Sequence, residues 1–218
     1  MKNELDTQKH FWDRQIDAFD AIYSGEKSRA GRLLDQVFRR DMYQRFEYTL
    51  RHAEPIRGRR FLDVGCGTGR YAVELATRGA ASVTGIDVAS SMVHASRRSA
   101  AAAGVEDRTA FHEGDLFAFT PEAPVDVVIG IGLFDYVRDP LPLLARMGEL
   151  AQNRVIVSFP LFWTWRAPVR KLRLAQQGCP VYFYRRGALE SLLEQAGFGG
   201  WDVAKVGKLY CVTAFVRG

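Results

Sequence analysis

The stretch Arg60-Phe61-Leu62-Asp63-Val64-Gly65-Cys66-Gly67-Thr68-Gly69-Arg70 decides how the chain folds. Arg60 to Val64 reads as a short apolar strand, followed by glycine at every second position and then by a helix ending near Gly79. Glycine permits the tight turn and lets a ligand approach the backbone, while the helix amino terminus presents N–H groups to an anion. A dinucleotide fingerprint would put its third glycine at position 70. Arg70 stands there and the glycine falls at 69, a spacing that disfavours a dehydrogenase.

Downstream, strands alternate with helices. Further strands are predicted at Ser82 to Val88, Thr109 to Glu113, Val125 to Ile131 and Arg154 to Phe159. Ser90 or Ser91 suits the N-cap of the helix after the second strand, and Gly104 suits its end. Such alternation argues for a parallel sheet covered on both faces. The end breaks the rhythm: Trp201 to Val206 and Leu209 to Val216 are strand-like and separated only by Gly207-Lys208. Two residues beginning with Gly suit a type II′ hairpin, so these last strands should be antiparallel. Upstream, Phe11, Trp12, Ile16, Phe19 and Ile22 share helical spacing, and a second helix carries Leu33 to Leu50 before Pro55. The expected fold is α/β: a Rossmann-like, doubly wound, mostly parallel seven-stranded sheet with a C-terminal antiparallel hairpin and an N-terminal helical cap. One domain is expected, with a cap over 1–55, a core over 56–159, an insertion over 160–186, and a final helix and hairpin over 187–218.

Composition agrees with a single soluble domain. A chain of 218 residues can bury about 70% of its unfolded surface. Cys66, Cys179 and Cys211 have no paired metal-type spacing, so reduced thiols in a cytoplasmic protein and no bound metal are expected. The first ten residues are polar, unlike a secretory signal, and no apolar run approaches the roughly 18 residues that would span a bilayer. A net charge of +5 says little about nucleic acid without its distribution.

Asp87 ends the second strand, where its two oxygens could accept ribose hydroxyls. Val88 follows it, and Met92 on the next helix can pack against an adenine. Gly114-Asp115-Leu116 follows the third strand. The ordered set of Asp63 to Gly69, Asp87 and Asp115, closed by the hairpin, resembles the class I S-adenosylmethionine-dependent methyltransferase superfamily. That resemblance implies S-adenosylmethionine as cofactor and S-adenosylhomocysteine as product. The implied holders are Asp63 for the ammonium, Gly65, Cys66, Gly67, Thr68 and Gly69 around the methionine carboxylate, and Asp115 near the adenine amino group. Gly130 and Ile131, ending the fourth strand, would face the transferring methyl.

The acceptor side is written less sharply. Between Glu149 and Glu190 there is no acidic residue, and arginines alternate with aromatics. Trp163, Arg166, Arg170 and Tyr182 are the expected substrate contacts, with arginine forks suiting a carboxylate or phosphate. A solvated basic face over ordinary core aromatics explains the same residues. An amphipathic stretch over 163–173 leaves a peripheral membrane contact open. Nucleic acid ranks lower, since no binding module is appended and the Asn/Asp-Pro-Pro-aromatic motif is absent. Asp135 and Tyr136, after the fourth strand, are the best candidates for acceptor contacts; Tyr43 and His112 are weaker ones. A hydroxyl or protonated amine acceptor would need a base, whereas a carboxylate is ionised at neutral pH.

A weaker resemblance, to magnesium-protoporphyrin and quinone-biosynthesis methyltransferases, extends over most of the chain. It rests on Phe19 to Tyr23 with Gly25, Arg39-Arg40-Asp41, Asp63 to Gly69, Ser90 to Val93 and Gly187 to Phe198. It implies a catalytic role for Tyr23, while Asp135 or Tyr136 stands where the porphyrin enzymes have a histidine. The expected function is methylation of a small, anionic, partly apolar molecule, with O-methylation favoured. The alternatives are N-methylation of a lipid headgroup and a non-catalytic cofactor-binding module. The oligomeric state is open.

Overall fold

The computed structural model describes residues 42–162 and 181–217, together with Lys9, Trp12 and Asp13 of the amino-terminal segment. Tyr23, Trp163, Arg166, Arg170, Cys179 and most of the two amino-terminal helices expected above lie outside the described residues.

A helix over 42–53, α1, leads into strand β1, Arg60–Val64. Then come α2 (Arg70–Thr77), β2 (Ser82–Asp87), α3 (Ser90–Ala103), β3 (Thr109–Glu113), β4 (Val125–Gly130), α4 (Pro140–Leu150), β5 (Ala151–Pro160), α5 (Arg186–Gln195), β6 (Gly200–Val206) and β7 (Leu209–Phe215). The strands form one seven-stranded sheet in the order β3-β2-β1-β4-β5-β7-β6. The first five are parallel, and β7 runs antiparallel to both β5 and β6. The expected mostly parallel sheet with its closing hairpin is therefore observed. Gly207 has φ 57° and Lys208 has no positive φ, as a type II′ turn requires.

Side-chain alternation sorts the core into two layers. On β1, Phe61 joins α1, α2 and α3 on one face, while Leu62 and Val64 join α4 and α5 on the other. On β4, Val127 and Ile129 face the first layer and Val128 the second. A strand buried on both faces reads as a continuous apolar run, which is the pattern of β4 and β5 in the middle of the sheet. β5 begins three residues earlier than expected, because it follows α4 with no linker and Ala151 already pairs with Val125.

One local expectation differs. The N-cap of α3 is Ala89, and neither Ser90 nor Ser91 caps the helix with its side chain. The acceptor comes from the amino-terminal segment instead: Asp13 Oδ1 accepts from the Ser91 amide at 3.1 Å and from Ser91 Oγ at 2.7 Å. A carboxylate at a helix amino terminus is favoured by the macrodipole as well as by the hydrogen bonds.

Candidate cofactor and acceptor site

The glycine loop lies where the carboxyl ends of β1 and β2 meet. Ile86 C=O accepts from Gly65 N at 2.8 Å and from Cys66 N at 3.1 Å, pinning the loop to β2. Asp87 then uses one oxygen for each side of the cleft: Oδ2 accepts from Gly67 N at 2.9 Å and Oδ1 from Ala89 N at 3.0 Å. Each oxygen keeps a lone pair, so the carboxylate is oriented by the backbone and still open to hydroxyl donors. Gly69, at φ 80°, is required twice: its backbone is left-handed, and a Cβ there would lie 2.8 Å from Ser96 Cβ. A Cβ on Gly85 beneath the loop would lie 2.6 Å from the Phe111 ring and 3.0 Å from Cys66 Sγ. Cys66 is thus a packing residue, and burial holds its thiol well above the ordinary range.

Asp63 is the most telling acid. Its residue is 1% exposed, and its Oδ2 has no hydrogen bond among the described residues. Burial, with the nearby Asp87 charge adding to it, pushes Asp63 up to about 7. Burial also raises Asp87, against the hydrogen bonds from Ala89 and Gly67, and the Asp13 charge adds to the rise. A buried carboxylate with an unbonded oxygen suits a cationic partner. Asp115 caps a short turn, accepting from Phe117 N at 3.1 Å, while Gly114 N donates to Asp87 C=O at 3.0 Å. Val88 is half-buried; Met92 and Leu116 are buried.

At the carboxyl end of β4 the roles divide. Gly130 is a packing glycine, since a Cβ there would meet Met147 Cε at 2.8 Å, and Ile131 belongs to the first core layer. Ser158 Oγ accepts from Gly132 N at 2.9 Å, tying the β4–α4 loop to β5. Asp135 is buried, and its carbonyl accepts from Tyr182 N at 2.9 Å, so the segment after the insertion is held to this loop. Tyr136 packs edge-on against Trp12 with centroids 5.2 Å apart. Tyr184 donates its hydroxyl to Phe134 and Val137 C=O at 3.4 and 3.3 Å, and burial keeps that phenol protonated. His112 is exposed on edge strand β3 and lies 5.6 Å from the Phe119 ring. Tyr43 is 55% exposed.

Three contacts from the amino-terminal segment span this cleft. Lys9 pairs with Glu113 at the end of β3, Asp13 caps α3, and Trp12 meets Tyr136. Sequence reasoning missed Asp13 and Lys9, because a contact across about 80 to 100 residues leaves no local signature. It also missed Arg45 of α1, whose Nη1 sits 3.2 Å from where a Gly132 Cβ would be. Arg70, in place of the third dinucleotide glycine, stacks on Phe46 of α1 at 4.3 Å and on Tyr43 at 5.5 Å.

Residues 61–153 match the family model described as a methyltransferase domain. The sheet order and the closing hairpin are those of the class I methyltransferase fold. The match covers the strand, loop and acids just described. Among curated relatives, the ubiquinone biosynthesis O-methyltransferase of Neisseria meningitidis serogroup C is 36% identical over 117 residues, covering 53% of this chain and 48% of that one. The enzyme of the same name from Xylella fastidiosa is 31% identical over 163 residues, covering 69% and 65%. The chain spans about half the length of the curated relatives it first matches. Among solved structures, magnesium protoporphyrin IX methyltransferase from Synechocystis PCC 6803 with bound SAH superposes at TM-score 0.78 and 18% identity, covering 96% of this chain and 98% of that one. At that identity the likeness speaks for the methyltransferase fold alone.

Proposed function

We propose that the chain is a working S-adenosylmethionine-dependent methyltransferase whose acceptor is a small, anionic, partly apolar molecule methylated on oxygen. The observation that carries the cofactor half is Asp63: a buried carboxylate beside an anion-ready helix terminus, with one oxygen lacking a hydrogen bond. An α-amino acid carries both complementary charges, and the methionine moiety supplies them. Asp63 would hold the ammonium, and the Gly65 to Gly69 backbone the carboxylate. Asp87 would take the ribose hydroxyls, with Val88, Met92 and Gly114 to Leu116 around the adenine. Gly130 and Ile131 would back the reacting end.

When bound, S-adenosylmethionine supplies a methyl group already activated on sulfonium sulfur. What remains for the chain is alignment and exclusion of water, for which proximity can supply up to about 7–11 kcal/mol. Asp135, Tyr136 and Tyr23 are the proposed contacts for the acceptor. Trp163, Arg166, Arg170 and Tyr182 are proposed to cover it. O-methylation is supported by relatives whose names are those of O-methyltransferases. The scarcity of a convincing base agrees with an acceptor that needs none. Among the described residues no helix is long and apolar enough to cross a membrane.

Calorimetric titration with S-adenosylhomocysteine tests the cofactor assignment. Micromolar binding is expected, weakened at least about tenfold by Asp87→Ala, since that change removes two charge-assisted acceptors. No binding, or binding indifferent to Asp87→Ala, would refute it.

A further inference from the structure

We propose that the segment carrying Lys9, Trp12 and Asp13 is a strap across the proposed cofactor cleft, latched by Asp13, which opens to let S-adenosylmethionine in and S-adenosylhomocysteine out. The inference rests on the methyltransferase reading above and deepens it by naming what controls exchange at that site.

Three side chains show where the strap lies. Lys9 pairs with Glu113, which ends β3 and stands in register with Asp87. Asp13 holds the amino terminus of α3, the helix that follows β2. Trp12 meets Tyr136 in the loop between β4 and α4, with ring centroids 5.2 Å apart. The sheet order is β3-β2-β1-β4, so these anchor points fall on both sides of β1 and its glycine loop. Three interstrand intervals separate β3 from β4, about 14 Å. Contacts to both from residues 9 and 12 carry this short segment over the carboxyl ends of β2 and β1. The Asp13 charge is felt at Asp87, the acid proposed for the ribose. Tyr136 N donates to Leu133 C=O at 3.1 Å, and Leu133 Cδ1 lies 3.1 Å from where a Gly65 Cβ would stand. The anchor beyond β1 therefore borders the glycine loop, and a ligand held by that loop and by Asp87 lies under the strap.

The three anchors are unequal. Asp13 Oδ1 accepts from the Ser91 amide at 3.1 Å and from Ser91 Oγ at 2.7 Å, two charge-assisted bonds at the positive end of a helix. The Lys9 and Glu113 side chains are 38% and 43% exposed, and an ion pair so wet holds little. Trp12 and Tyr136 are half-buried and meet edge to face. Asp13 is thus the latch. Its release leaves the first turn of α3 to bond water, as helix amino termini commonly do, so the strap can part without disturbing the sheet. A gate slows entry and exit together, whereas a contact that only grips the ligand slows exit alone.

Surface plasmon resonance on the immobilised full chain reads both rates for S-adenosylhomocysteine. D13A should raise the association and dissociation rate constants together, each at least about tenfold, as the loss of two charge-assisted bonds implies. D13N keeps an accepting oxygen without the charge, and both its rates should fall between those of D13A and the wild type. K9A gives up only the exposed pair and should change either rate less than about fivefold. Faster dissociation without faster association would make Asp13 a support for α3 or a grip on the ligand, and overturns the proposal. Rates that D13A leaves unchanged overturn it too. If D13A does not fold, D13N decides: association no faster than in the wild type refutes the strap. Failure of S-adenosylhomocysteine to bind the wild type is a separate outcome, which sinks the methyltransferase reading and this proposal with it.

Discussion

At Asp63 the fold holds a carboxylate where its charge is poorly solvated. The group rises from an ordinary value near 4 to about 7, chiefly through burial. Between those values the folded protein keeps a proton that the unfolded chain has released, so stability falls as pH rises through the window. Asp63→Asn removes this ionisation. The variant should gain stability over the wild type as pH climbs from about 4 to 7, with the gain level above that. Urea unfolding at pH 5 and pH 8 measures it; an equal difference at both values would refute the account. The same carboxylate must be ionised to hold an ammonium, so S-adenosylhomocysteine should bind the wild type more weakly below pH 7. Asp63→Asn should bind weakly throughout and lose that pH dependence. At this scale Asp63 was legible, because an acid before a helix-opening glycine loop is a local pattern. Its burial was not.

The element scale shows why the loop needs its neighbours. Gly65 to Gly69 turns tightly because its own glycines allow it, yet it stays put because β2 and α3 leave it only one place. Gly85, in the middle of β2, has the shortest approach: a Cβ would sit 2.6 Å from the Phe111 ring. Gly85→Ala should cost about 1–3 kcal/mol, the usual range for overpacking. Phe111→Leu in the same chain should recover part of the loss, because it withdraws the ring carbons that clash. Chemical denaturation of the single and double variants checks this, and additive losses would mean the two residues do not share the site. The cap of α3 makes the complementary point. Two serines stood at the helix start, and the structure capped it from Asp13 instead. Local propensity named a helix start; a long-range contact chose the acceptor.

On the scale of the whole molecule, ligand binding and stability are one measurement. The pinned loop, Asp87 and the cap of α3 exist only in the folded chain, so S-adenosylhomocysteine should bind that state alone. At about one hundred times its dissociation constant the ligand should add about 2.7 kcal/mol. For a chain of this length that corresponds to a rise in Tm of about 5–10 °C. Differential scanning fluorimetry should show the rise in the wild type, and a much smaller one in Asp87→Ala at the same concentration. Equal rises in the two proteins would place the ligand elsewhere.

The sequence by itself determined the succession of elements along the chain: which segments are strands, where helices separate them, and that the last two turn back on each other. It also marked the loop proposed to hold the cofactor, since glycine spacing, Arg70, Asp87 and Asp115 are all read within one stretch of chain. These are short-range properties, set by alternation, turn stereochemistry and residues a few positions apart. Only the tertiary structure decided what surrounds that loop. Arg70 stacks on α1, Asp13 caps α3 from the far end of the chain, and Arg45 stands over Gly132. Each joins segments from about 25 to 90 residues apart, and such meetings depend on how layers pack rather than on any local pattern. For the same reason the glycine loop and its acids could be read from the chain, and the side chains packed beside them could not.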